Sequence, residues 1–130
     1  MKKIHQILFE HCRGVMQNSY SPYSKIKVGA TVITKEGVIF AGCNVENSSY
    51  GATICAERVA LTKAISEGFR DFIAIGVLSN RFDYIPPCGI CRQFIEELSP
   101  DIDVYLFNSK GDYKKYNIKK LLPYEFRIGE

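Results

Sequence analysis

Phe72-Ile73-Ala74-Ile75-Gly76-Val77-Leu78 decides the architecture of this chain. The run is apolar throughout and rich in β-branched residues, as expected of a strand buried on both faces. Such a strand needs a layer on each side, and the neighbouring segments supply them. Upstream, residues from about 55 onward read as a helix that stops at Gly68, a residue suited to a left-handed helix end. Downstream, Pro86-Pro87 precede a second helix over residues 88–98, and residues 102–107 read as the next strand.

Farther out, Ile4, Ile7, Leu8, Cys12, Val15 and Met16 recur in steps of three and four, the period of an amphipathic helix. Ser21-Pro22-Tyr23-Ser24 breaks it. Ile26, Val28, Ala30 and Val32 then alternate, and Lys35-Glu36-Gly37 separates them from Val38-Ile39-Phe40-Ala41, so a hairpin is expected. Asn108-Ser109-Lys110-Gly111 forms a turn, residues 113–116 a weak fifth strand, and residues 118–122 a short helix ended by Pro123. A hairpin followed by strands with helical crossovers predicts an α/β fold, a three-layer sandwich with a mixed five-stranded sheet flanked by helices. The second and third helices each follow a strand or its loop, so their N-termini are expected to gather on one side of the sheet.

With 130 residues and 46% hydrophobic content, a single domain over residues 1–130 can bury a core without disulfides. The apolar runs are far too short to span a bilayer, and polar residues interrupt the start at Gln6, Glu10 and His11, so neither a membrane anchor nor a signal peptide is expected. Five cysteines, an odd number, suit a reducing, cytoplasmic setting in which thiols bind metal or fill the core. Cys12 and Cys43 read as small core hydrophobes. A net charge of +3 with basic clustering only at Lys114-Lys115 and Lys119-Lys120 gives no case for a nucleic-acid partner; those lysines read as a solvated face.

Two short motifs carry the chemistry: Cys55-Ala56-Glu57 and Pro87-Cys88-Gly89-Ile90-Cys91. Cys55, Cys88 and Cys91 can hold one Zn2+, and three protein ligands leave the fourth tetrahedral position for water, the mark of a catalytic site. Cys88 and Cys91 are three apart and share a face of a helical turn. Thiolates at helix starts gain from the positive end of the helix dipole. Three thiolates outweigh a divalent cation by one charge, and Arg58, one helical turn after Cys55, is placed to donate to sulfur and withdraw it. Arg92 is either a second such donor or a solvated arginine. Glu57 is placed to take a proton from water and return it to a substrate. The pattern of three thiols with a nearby glutamate is that of zinc-dependent nucleobase deaminases. A closed Cys₄ site recruiting Cys43 or Cys12 is the competing metal arrangement, but such sites usually pair two short C-x₂-C elements. Here Cys55 stands alone, with 32 residues before Cys88.

The chain resembles the small homotetrameric cytidine deaminases along nearly its whole length. The similar stretches are Tyr23-Ser24-Lys25, Val28-Gly29-Ala30, Gly42-Cys43-Asn44-Val45-Glu46-Asn47, Cys55-Ala56-Glu57-Arg58, Pro87-Cys88-Gly89-Ile90-Cys91-Arg92-Gln93 and Leu121-Leu122-Pro123. The resemblance implies hydrolytic deamination of cytidine and deoxycytidine, in pyrimidine salvage, by zinc-activated water with Glu57 carrying protons. It also implies that Asn44 and Glu46 hydrogen-bond the ribose, that the Ala56 backbone contacts the pyrimidine, and that Tyr50 belongs to the pocket. Phe126 matches an aromatic that reaches a neighbouring subunit's pocket, so a homotetramer with shared active sites is implied. The chain departs from the family at Ile26, where a phenylalanine usually packs on the pyrimidine. An aliphatic side chain there removes an aromatic contact worth about 1 kcal/mol, which bears on affinity and base preference and leaves the chemistry untouched. Blasticidin S deaminase, a sister family with the same zinc motif, is the nearest alternative. A deaminase of polynucleotides would need a basic, aromatic groove, and a non-catalytic zinc module would need four protein ligands.

Overall fold

The computed structural model describes residues 1–129. Helix α1 (Ile4–Met16) leads into the hairpin β1 (Val28–Thr34) and β2 (Ile39–Cys43). Then come α2 (Ala56–Ser66), β3 (Phe72–Ser79), α3 (Gly89–Leu98), β4 (Asp103–Phe107), β5 (Tyr113–Asn117) and the single-turn α4 (Ile118–Leu121). The strands form one sheet in the order β2-β1-β3-β4-β5. Only β3 and β4 run parallel, joined by the α3 crossover, while the other pairs are antiparallel. The mixed sheet and three layers anticipated from the apolar pattern are thus present.

The layers follow from which residues each strand turns to which side. On one face α1 packs Leu8, Cys12 and Met16 against Ile33, Ala74, Leu78, Tyr105 and Phe107. On the other, Ala60, Leu61 and Ala64 of α2, Ile95 of α3 and Ile118 of α4 pack against Val32, Ile75, Val77 and Val104. β3 contributes to both, and every residue in it but Ile73 is buried. Cys12 is fully buried and its thiol donates to the Gly76 carbonyl at 3.4 Å, whereas Cys43 is only half-buried at the end of the edge strand β2.

The seat of α2 on β2 positions the chemistry, because Cys55 precedes that helix. A Cβ at Gly42 would lie 2.5 Å from the Ala60 backbone nitrogen and 2.8 Å from Val59 Cβ. Neither neighbour can yield without moving the helix. Gly42→Ala is therefore expected to cost about 3 kcal/mol in denaturant unfolding and to weaken metal binding with it.

Three local features differ from the periodic reading. β1 starts at Val28 rather than at residue 26, because Lys25 takes a left-handed backbone (φ 62°) and both backbone groups of Ile26 are diverted to side chains. The Ile26 N–H donates to Ser24 Oγ, and its carbonyl accepts from Asn44 Nδ2. β2 extends to Cys43, and the polar stretch after it holds a 3-10 turn at Tyr50–Ala52. Cys55 and Cys88 each sit one residue before the first helical residue, so Pro87 lies outside α3.

Candidate metal and substrate site

The first turns of α2 and α3 meet at one end of the sheet. There the Sγ atoms of Cys55, Cys88 and Cys91 all lie within 4.8 Å of one another, with Cys55 and Cys88 3.7 Å apart. Tetrahedral zinc with thiolate bonds of about 2.3 Å places its sulfurs about 3.8 Å apart, so the triangle fits that ion. Among the described residues no fourth His, Cys, Asp or Glu joins the cluster, and Cys12 and Cys43 stand apart from it. The Cys55 thiol is pushed down to about 5, chiefly by hydrogen bonding from Cys91 and, against burial, also by Arg58 and Cys88. The Cys91 thiol moves the opposite way, because it supplies that hydrogen bond and is itself buried. Cys88 is the exposed member of the three.

Arg58 Nη2 lies 3.6 Å from Cys55 Sγ and donates to the Thr53 carbonyl at 3.3 Å. Its Nε is buried and has no partner among the described residues. Arg92 turns away from the thiols, resolving its two readings in favour of neither. Its Nε donates to the Pro87 carbonyl at 2.7 Å and its Nη1 to the Leu121 carbonyl at 3.0 Å.

Glu57 is 4% exposed and lines a cavity of about 170 Å³ together with Val28, Asn44, Thr53, Cys55, Ala56 and Cys88. Burial pushes its carboxyl up to about 7. Its two-residue offset from Cys55 would split a helix face mid-helix, but both residues sit at the very start of α2 and address the space beyond its end. Ala56, the first helical residue, has an N–H with no intrahelical acceptor, and it too lines the cavity.

Thr53 also lines a second cavity of about 390 Å³, with Tyr23, Ser24, Glu46, Asn47 and Tyr50. The two spaces therefore adjoin, a smaller one beside the thiols and a larger one bordered by Glu46. Both polar candidates in this region are already engaged by the protein. Asn44 Oδ1 accepts from Val28 N–H at 2.9 Å and Ser19 Oγ at 2.5 Å, and its Nδ2 donates to Ile26, which leaves one N–H. Glu46 Oε1 accepts from the Tyr23 and Ser24 amides at 3.1 Å, and Oε2 accepts from the Ser24 hydroxyl. That hydroxyl, foremost among several contacts, holds the Glu46 carboxyl below the usual carboxylate range.

The structure thus brings Cys55, Cys88, Cys91, Glu57, Ala56, Asn44 and Arg58 together and sets Glu46 and Tyr50 in the adjoining space. Ile26 and Phe126 line neither cavity of this single chain. Phe126 lies in the C-terminal segment, 65% exposed, with both backbone groups paired to the Gln93 side chain. Thr53 and Ser24 went unassigned from sequence. Ser24 belonged to a segment read as a helix breaker and as part of a family-like stretch without a role of its own, and Thr53 acts partly through its carbonyl, which no side-chain motif reports.

Three thiols spaced to hold one metal ion, with a buried carboxyl beside them at the helix-start edge of a mixed sheet, define the class as zinc-dependent deaminase. The family model described as the cytidine and deoxycytidylate deaminase zinc-binding region matches residues 2–107, and the chain belongs to that family. The cytidine deaminase of Halalkalibacterium halodurans is 46% identical over 122 residues, spanning 93% of this chain and 92% of that protein. The crystal structure of cytidine deaminase from Burkholderia pseudomallei superposes with a TM-score of 0.91 at 43% identity, covering 95% of this chain and all of that one. A blasticidin-S deaminase of Bacillus cereus is 32% identical over 111 residues, 79% of each chain. No helix is long and apolar enough to cross a membrane among the described residues.

Proposed function

We propose that this chain is a hydrolytic deaminase that converts cytidine and deoxycytidine to uridine and deoxyuridine with release of ammonia. The observation that carries the reading is a buried carboxyl, Glu57, in the cavity that Cys55 and Cys88 also line. Cys55, Cys88 and Cys91 hold one zinc ion, which supplies the Lewis acidity that makes water nucleophilic near neutral pH. Glu57 would carry one proton of the attacking water to the ring nitrogen, and the second, from the hydroxyl so formed on C4, to the amine, which leaves as ammonia while C4 becomes a carbonyl. A carboxyl raised to about 7 by burial both accepts and donates under such conditions. The Ala56 N–H faces the base from the start of α2, and Arg58 draws negative charge from Cys55. Arg58→Gln is expected to weaken zinc binding about tenfold and lower kcat, measured by chelator competition and steady-state kinetics.

Asn44 retains one donor and Glu46 one acceptor. One donor and one acceptor are enough to read a single sugar hydroxyl, and a 3′-hydroxyl read in this way is common to both nucleosides. Removing the hydroxyl that is read leaves buried groups of Asn44 unpaired and should be costly.

The working form is a homotetramer with shared active sites. Support comes from Tyr124, Phe126 and Ile128, which are 95%, 65% and 86% exposed on a C-terminal segment held in place by Gln93. Such a surface, with Phe126 at its centre, suits a second copy rather than solvent. The setting is the cytoplasm, where the free thiols stay reduced, and the role is pyrimidine salvage by one catalytic domain. The test is a panel of cytidine, deoxycytidine, cytosine and blasticidin S on zinc-replete protein, following absorbance loss and ammonia. Comparable kcat/KM for both cytidines supports the proposal. Turnover of blasticidin S alone, or of nothing, overturns it.

A further inference from the structure

The segment that delivers Cys88 to the metal is short of backbone fastenings. Pro86 and Pro87 have no N–H to donate. Among the described residues one hydrogen bond reaches the backbone of Ile85, Pro86 or Pro87, and it comes from Arg92 Nε to the Pro87 carbonyl at 2.7 Å. The other end of the same guanidinium holds the Leu121 carbonyl at 3.0 Å, at the last residue of α4, where helix carbonyls lack internal partners. A planar, permanently charged fork suits this bridging of two carbonyls.

We propose that Arg92 is a positioning residue for the metal turn, bracing the carbonyl before Cys88 against the end of α4 so that the Cys88 thiol keeps its distance from Cys55. The inference rests on the reading of Cys55, Cys88 and Cys91 as zinc ligands. It makes the grip on the ion depend on a residue that touches neither ion nor substrate. Gln93 and Glu96 of the same helix also fasten the C-terminal segment, through the Phe126 backbone and a 2.9 Å ion pair to Arg127. Those contacts lie beyond the bracing point, so loosening them should leave the ion undisturbed.

The experiment measures zinc affinity by competition with a chromophoric chelator, and denaturant unfolding with and without zinc. It compares the parent, Arg92→Gln, Arg92→Lys and the double variant Gln93→Ala/Glu96→Gln. Arg92→Gln is expected to bind zinc about tenfold to a hundredfold more weakly, the range for groups that orient metal ligands. Arg92→Lys should recover part of the loss, because an ammonium reaches one of the two carbonyls. The double variant should match the parent in zinc affinity and in the stabilisation that zinc confers. The unfolding data separate positioning from general support: positioning shrinks the stabilisation that zinc confers, whereas general support lowers both curves equally. If Arg92→Gln does not fold, Arg92→Lys carries the same comparison. Unchanged zinc affinity in a folded Arg92 variant, or an equal loss in the double variant, overturns the proposal. A parent protein that takes up no zinc overturns the metal reading itself and this inference with it.

Discussion

Glu57→Gln is expected to keep its zinc and lose turnover of cytidine by about 10³-fold or more. Glutamine preserves the shape of a side chain that is 4% exposed, while removing its ability to accept and return a proton. Because Glu57 shares the cavity with the thiols without being one of them, metal content should stay near one ion per chain. Zinc analysis beside kcat checks both halves. A variant that keeps its zinc and turns over within tenfold of the parent would remove Glu57 from the mechanism.

The same substitution should have the opposite effect on the stability of the metal-stripped chain. Burial raises the Glu57 carboxyl from 4.5 to about 7, so the folded state holds this proton more tightly than the unfolded state. Its contribution to stability is complete below about pH 4.5 and is lost as pH rises through 7. At 1.36 kcal/mol per unit, the buried charge then costs about 3 kcal/mol. Metal-stripped Glu57→Gln should therefore resist denaturant better than the metal-stripped parent at pH 8, with the advantage nearly gone at pH 5. The buried Glu57 carboxyl is a source of strain that the rest of the fold offsets.

Stripping zinc from the parent is expected to abolish turnover, and one equivalent should restore it. The thiols must ionise to bind, and Cys91 is held above the ordinary thiol value by its hydrogen bond to Cys55 and by burial. Uptake of the ion therefore releases protons, and affinity should fall steeply from pH 8 toward pH 5, as chelator competition at several pH values will show. Full activity from protein without measurable zinc would contradict the assignment.

The fold was legible wherever one physical pattern dominated. The run from Phe72 to Leu78 declared itself because both sides of β3 are covered, and α1 because Leu8, Cys12 and Met16 fall on one face. The thiol triangle was legible because it needs only two helix starts, each marked by sequence. The segment from Ser19 to Lys27 was not. Its course is set by long-range side-chain bonds from Asn44 and Glu46, and by Lys25 in a backbone conformation that periodicity does not encode. Arg92 was equally opaque, since its partners are carbonyls 5 and 29 residues away and carbonyls carry no sequence label.

One detail bears on handling the protein. Cys88 is the exposed corner of the thiol triangle, and its sulfur stands 3.7 Å from that of Cys55, a thiol held below its ordinary value by its hydrogen bonds. A cation held by the triangle would occupy both sulfurs. Once it is gone, a nucleophilic thiolate faces an accessible neighbour, and dissolved oxygen or peroxide can weld the two together or carry Cys88 into sulfenic acid. Inactivation by chelators should thus be reversed by zinc alone under argon, whereas after exposure to air it should require a thiol reductant as well, so the ion also acts as the site's preservative.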